Sequence, residues 1–163
     1  MSWICGTCGE SHEGQPTDVG FMLPDDVHAI PQPERAKSAK FDEDFCTFGK
    51  RNFVRCVLIL PFTMSDGYFG YGAWAEVDDK TFMRSLNLAY WGGPVDPPGA
   101  GKIANRFASY PQAYGLGVVI IYGPKGRRPL LAVDEDGSEL ASDQLTGIGA
   151  ERYHRILVEE KMI

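Results

Sequence analysis

At 163 residues, with 44% hydrophobic and 23% charged side chains, the chain has the length and balance of one folded domain with a substantial core, not of a disordered tail. The net charge of −6 should repel a polyphosphate backbone, which argues against nucleic acid as a partner. No apolar run approaches the ~20 residues of a membrane-crossing helix, so no membrane span is expected.

Taken in chain order, the first residues carry Cys5-Gly6-Thr7-Cys8 with His12 four positions on. Glycines at 6 and 9 relieve crowding round a turn that can aim two sulfurs at one ion. No basic stretch followed by an apolar run precedes them, so no secretory signal is read, and reduced thiols in the cytoplasm are expected. A redox role is disfavoured because the residues after Cys8 do not look like a long helix that would stabilise a thiolate. The segment to residue 50 is broken by Pro24, Pro31 and Pro33, with 34–40 a short helix or surface excursion. Phe41, Phe45 and Phe48 imply that it packs on the rest.

Residues 53–60, Phe-Val-Arg-Cys-Val-Leu-Ile-Leu, predict a central strand with a single charge, Arg55. A turn at 63–67 leads to a second strand over 68–77, making an antiparallel hairpin. Tyr68, Gly70, Gly72 and Trp74 lie on one side of that strand, and Phe69, Tyr71, Ala73 and Ala75 on the other. Asp78 or Asp79 caps a helix in which Phe82, Met83, Leu86 and Tyr90 recur at helical spacing, closed by Gly92-Gly93-Pro94. Residues 116–122 predict a strand and 129–133 a shorter one. An acidic turn follows at 134–137, and a last helix over about 150–161 has Tyr153, Ile156 and Leu157 on its apolar face.

The expected architecture is α+β: a largely antiparallel sheet with helices on one face and an N-terminal Cys-x-x-Cys knuckle. The whole of 1–163 reads as a single domain, with 1–50 an irregular N-terminal subregion packed on the sheet.

For chemistry, Cys5, Cys8 and His12 suit one structural zinc, with Cys46 as the preferred fourth ligand and Cys56 as the alternative within a strand. His28 has no evident partner, and His154 reads as a surface or boundary residue. No Gly-x-Ser-x-Gly elbow accompanies either histidine. The pairs Asp25/Asp26, Asp42/Asp44, Asp78/Asp79 and Asp134/Asp136 read as caps or solvated turns, and Lys125-Gly126-Arg127-Arg128 as a solvated basic turn. Tyr68, Tyr71, Trp74, Tyr90, Trp91 and Tyr110 could line a groove, though core packing accounts for most of them.

The N-terminal Cys-Gly-Thr-Cys-Gly-Glu-Ser-His resembles that of the bacterial domain-of-unknown-function family numbered 2199. So do the strand ending in Pro61, Gly-Ala-Trp-Ala-Glu-Val at 72–77, Ser109-Tyr110-Pro111, Arg128-Pro129-Leu130 and the run 143–148. The resemblance implies cysteines and a histidine matching Cys5, Cys8 and His12, with further cysteines like Cys46 and Cys56. It departs where a His-Pro-Leu-Ala-like segment is replaced by Ser138-Glu139-Leu140-Ala141. It implies no activity. The function expected from all of this is a non-enzymatic binding or structural module with a zinc knuckle and a protein as its candidate partner. The alternative is an enzyme whose site is assembled from distant residues.

Overall fold

The computed structural model describes residues 2–4, 11–13, 17–134 and 137–163, the first two stretches as backbone only. Its strands are β1 (Ser2–Ile4), β2 (Ser11–Glu13), β3 (Asp18–Gly20), β4 (Ala39–Phe41), β5 (Phe45–Phe48), β6 (Arg51–Pro61), β7 (Tyr68–Val77), β8 (Gly99–Ile103), β9 (Gly117–Ile121) and β10 (Leu130–Val133). The helices are α1 (Asp25–His28), α2 (Gln32–Ser38), α3 (Asp79–Trp91), α4 (Glu139–Thr146) and α5 (Ala150–Glu159).

The long antiparallel hairpin β6–β7 organises the rest, with Arg55 opposite Trp74 and Val57 opposite Gly72. From β7 the sheet runs through β8, β9 and β10, and β10 returns to pair in parallel with β6 at Leu130 and Leu131. The sheet is therefore a closed five-stranded barrel. This corrects the expected sheet with helices on one face: closing the barrel removes its free edges. The correction extends to the pairing, since β3 also joins β7 in parallel. β5 and β4 continue outward from the first half of β6.

Strand alternation divides the hairpin residues between two cores. Cys56, Leu58, Leu60, Phe69, Tyr71, Ala73 and Ala75 fill the barrel, closed by Ile156 and Leu157 of α5. Phe53 and Trp74 point the other way and are covered by Val27, Cys46 and Leu23 in a second cluster. That cover ends at Arg55. Beyond it the outer face is a trough floored by Gly20, Gly70 and Gly72.

Helix ends follow local chemistry. Asp78 accepts from the Thr81 N–H at the start of α3, and Ser138 accepts from Ala141 at the start of α4. Among the described residues, no helix is long and apolar enough to cross a membrane.

Just after α5, one oxygen of Glu160 accepts the Ala108 N–H at 2.7 Å. The other is sealed without a hydrogen bond, as are the Tyr71 hydroxyl and Ser109 Oγ. Burial holds the Glu160 carboxyl above the ordinary glutamate range. A raised acid binds its proton more tightly in the folded state. The stability it confers is complete below the unfolded value and is lost as pH rises through the folded one. As pH rises above the ordinary glutamate range, the melting temperature of the wild type should therefore fall relative to Glu160→Gln. Parallel pH profiles in thermal melts would contradict this.

Candidate functional site

The zinc knuckle expected from Cys5, Cys8, His12 and Cys46 is corrected. Among the described residues no three His, Cys, Asp or Glu side chains come together to hold a metal ion. Cys5 and Cys8 lie outside the described residues, and His12 is described only as a backbone position paired with Trp3. Cys46 is 1% exposed and packs with Phe53 and Trp74. Burial, with Asp42 adding to it, pushes its thiol up to about 11, away from the thiolate a metal ligand needs. Cys56 is an ordinary thiol in the barrel core, likewise pushed up by burial.

Of the aromatic residues proposed for a groove, Tyr71, Trp74 and Tyr110 are buried, whereas Tyr68, Tyr90 and Trp91 are exposed. His28 ends α1, and His154 is half-buried on α5, where it lines a pocket with Glu151, Arg152 and Arg155.

The structure gathers charge elsewhere, at the point where the covered half of the β6–β7 outer face meets the open half. Three segments converge there. Arg55 sits in β6, and its N–H donates to the Asp44 carbonyl at 2.9 Å, fixing the residue that leads into β5. The Pro129 carbonyl accepts the Val57 N–H at 2.9 Å, which brings the 124–129 loop and Arg128 alongside. Arg128 Nε then donates to Asp44 Oδ1 at 2.7 Å. Asp44 is held in turn by its own N–H, which donates to Asp42 Oδ1 at 2.8 Å.

Arg55 is the unusual member. Its Nε is buried without a hydrogen bond, and NH1 makes one long contact, 3.4 Å, to the Glu43 carbonyl. Among the described residues it has no carboxylate within ion-pair distance. Burial, and then the neighbouring Arg128, lower its hold on the proton; Asp44 and Glu43 oppose them. By contrast Arg51, on the same strand, grips Glu76 through two bonds of 3.0 and 2.8 Å and reaches Asp26 at 2.9 Å. Tyr114 also donates to Asp26, so that network is satisfied and structural.

Arg55 and Arg128 line a cleft of about 180 Å³ on one side and the glycine-floored trough on the other. That volume leaves room for several waters or a small organic group. Its apolar wall comprises Phe45, Leu88, Tyr90 and Tyr122. Tyr122 is rigidly set. Ser85 Oγ donates to the Thr81 carbonyl at 2.7 Å, so the Tyr122 hydroxyl donates to Ser85 at 2.8 Å, and the Arg84 guanidinium lies 4.7 Å from the ring centre. A few charged groups over an aromatic wall form a common kind of small-molecule site.

In the sequence Arg55 stands out only as the lone charge in its strand, Arg128 as part of a solvated basic turn, and Asp44 as a cap or solvated turn. The signal available was Arg55 itself, because a guanidinium in a two-sided buried strand needs an explanation.

In comparisons with known proteins, the family model described as "Uncharacterized protein conserved in bacteria (DUF2199)" matches residues 4–148. No curated protein and no solved structure matches the chain.

Proposed function

We propose, from the premise that the chain belongs to the DUF2199 family, that it recognises a small organic anion at a site assembled from distant residues. Arg55 binds the acid group, Arg128 stands beside it, and the cleft wall of Phe45, Leu88, Tyr90 and Tyr122 takes the apolar body. One observation carries this reading: Arg55 is a partly buried guanidinium with its Nε sealed and no counter-ion among the described residues. Withdrawing a charge from water is costly unless it is paired, and an arginine fork matches a carboxylate with two parallel bonds. The reading replaces the zinc-knuckle module. It is shared ground with the enzymatic alternative, in which the same arginine would orient a substrate's acid group.

Calorimetric titration with benzoate, comparing the wild type with Arg55→Met, tests it. Methionine keeps much of the apolar stem and removes the charge. Affinity should fall at least about tenfold in the variant, since hydrogen bonds between charged groups contribute roughly 1.5–3 kcal/mol. Its melting temperature should stay level or rise, because an uncompensated charge has been removed. Unchanged binding together with a large loss of stability would make Arg55 structural and contradict the proposal.

We place this function in the cytoplasm, a reading supported by the free buried thiols of Cys46 and Cys56. A protein partner is a second reading, supported by Trp91 and Tyr90 standing 82% and 57% exposed at the end of α3.

A further inference from the structure

The charges round the cleft are unevenly compensated. Three arginines, Arg55, Arg127 and Arg128, line it with two aspartates, Asp42 and Asp44, leaving one net positive charge. Arg128 is already engaged by Asp44 at 2.7 Å and Arg127 is exposed on its loop, so Arg55 is the partly buried guanidinium left to meet a ligand. Nor can Asp44 easily swing aside as a backbone unit. Its carbonyl accepts the Arg55 N–H at 2.9 Å and its N–H donates to Asp42 Oδ1 at 2.8 Å. Asp42 is fixed by the same turn, because its Oδ1 also accepts the Phe45 N–H. A ligand acid on Arg55 therefore has a tethered carboxylate beside it. A single negative charge completes the balance of the cleft, and a second one would meet the repulsion of the Asp44 carboxylate, which lines the same cleft.

We propose that the site selects singly charged acids over doubly charged ones, and that Asp44 is the residue that sets this selection. The inference rests on the reading of Arg55 as the anion-binding group. Its logic is that of specificity built by repulsion: the aspartate weakens the site for every anion slightly and for a dianion most. The ligand class is accordingly a carboxylic acid carrying a compact apolar or aromatic body, and phosphate monoesters are disfavoured.

The test compares benzoate with phenylphosphonate, which share a ring and differ in charge at about pH 8, on the wild type, Asp44→Asn and Arg55→Met. Asparagine retains an oxygen able to accept from Arg128, and an unchanged melting temperature would confirm that Asp44→Asn keeps the fold. The wild type should bind benzoate about tenfold more tightly than phenylphosphonate. Asp44→Asn should raise phenylphosphonate affinity about tenfold and change benzoate affinity less than about threefold. Tighter Arg55-dependent binding of phenylphosphonate by the wild type, or an equal gain for both ligands in Asp44→Asn, would overturn the selection while leaving the anion site standing. Absence of binding by either probe, or equal binding by Arg55→Met, would overturn the site and the selection together.

Discussion

Asn105→Leu is expected to destabilise the protein by about 3–5 kcal/mol, the sum of two buried polar groups stranded at roughly 1–3 kcal/mol each. Asn105 is fully buried. Its Oδ1 accepts the Trp74 N–H at 2.8 Å, and its Nδ2 donates to the Leu23 carbonyl at 3.0 Å and to Asp25 Oδ1 at 2.9 Å. Leucine fills similar space and leaves the Trp74 N–H and the Leu23 carbonyl without the amide, while Asp25 keeps its bonds from Arg106. The Trp74 N–H matters most: on the edge of β7 away from β6, the β3 pairing ends at Gly72 and the β8 pairing begins at Ala75, so the side-chain amide substitutes for the ladder there. Trp74 is also held by its ring nitrogen, which donates to the Phe21 carbonyl at 2.9 Å. Loosening it should therefore uncouple the 21–30 segment from the barrel. At about 2–4 °C per kcal/mol for a chain of this size, the melting temperature should drop by roughly 6–20 °C. A loss under about 1 kcal/mol in denaturant titrations would mean that water readily replaces the amide.

Gly101→Ala should cost about 2–3 kcal/mol, although alanine is ordinarily the better strand residue. A Cβ at 101 would lie 2.8 Å from the Glu76 carbonyl oxygen and 3.1 Å from Val77 Cγ1. The first of these is backbone of β7, so the strand itself must shift where β7 and β8 pair at Glu76 and Lys102. Gly72 makes the contrast. Its Cβ would meet nothing closer than 3.4 Å, so alanine there should be neutral within about 0.5 kcal/mol. Equal stability of the two variants in urea would show that β8 is not seated as closely on β7 as the barrel requires.

The elements predicted from periodicity were those bracketed by local signals. The strand 68–77 appears with those bounds because Gly67 turns into it and Asp78 caps the helix that follows. Barrel closure had no such signal. It depends on Leu130 and Leu131 meeting Val57 and Leu58, residues far apart in the chain whose composition would suit any buried strand. β8 was missed because Gly-Ala-Gly-Lys-Ile after two prolines reads as a loop. It becomes a strand through the neighbours on its two sides. α4 hid behind an acidic turn whose Ser138 proves to be an N-cap. The cysteine spacing drew attention to the N-terminus, whereas Arg55, Arg128 and Asp44 looked unremarkable alone. What gives them meaning is the 2.7 Å pair between the last two and, among the described residues, the lack of such a pair for the first. Such a site is set by tertiary placement, which spacing along the chain does not encode.

Nuclear magnetic resonance of the arginine Nε–H groups reads directly whether Arg55 is held ready for an anion. On titration of the ¹⁵N-labelled protein with benzoate, the Arg55 Nε–H signal should shift and saturate. The Arg51 signal, locked on Glu76 at 3.0 Å, should stay in place. Saturable binding that moves other groups and leaves Arg55 untouched, or no shift at all with millimolar ligand, would contradict the account.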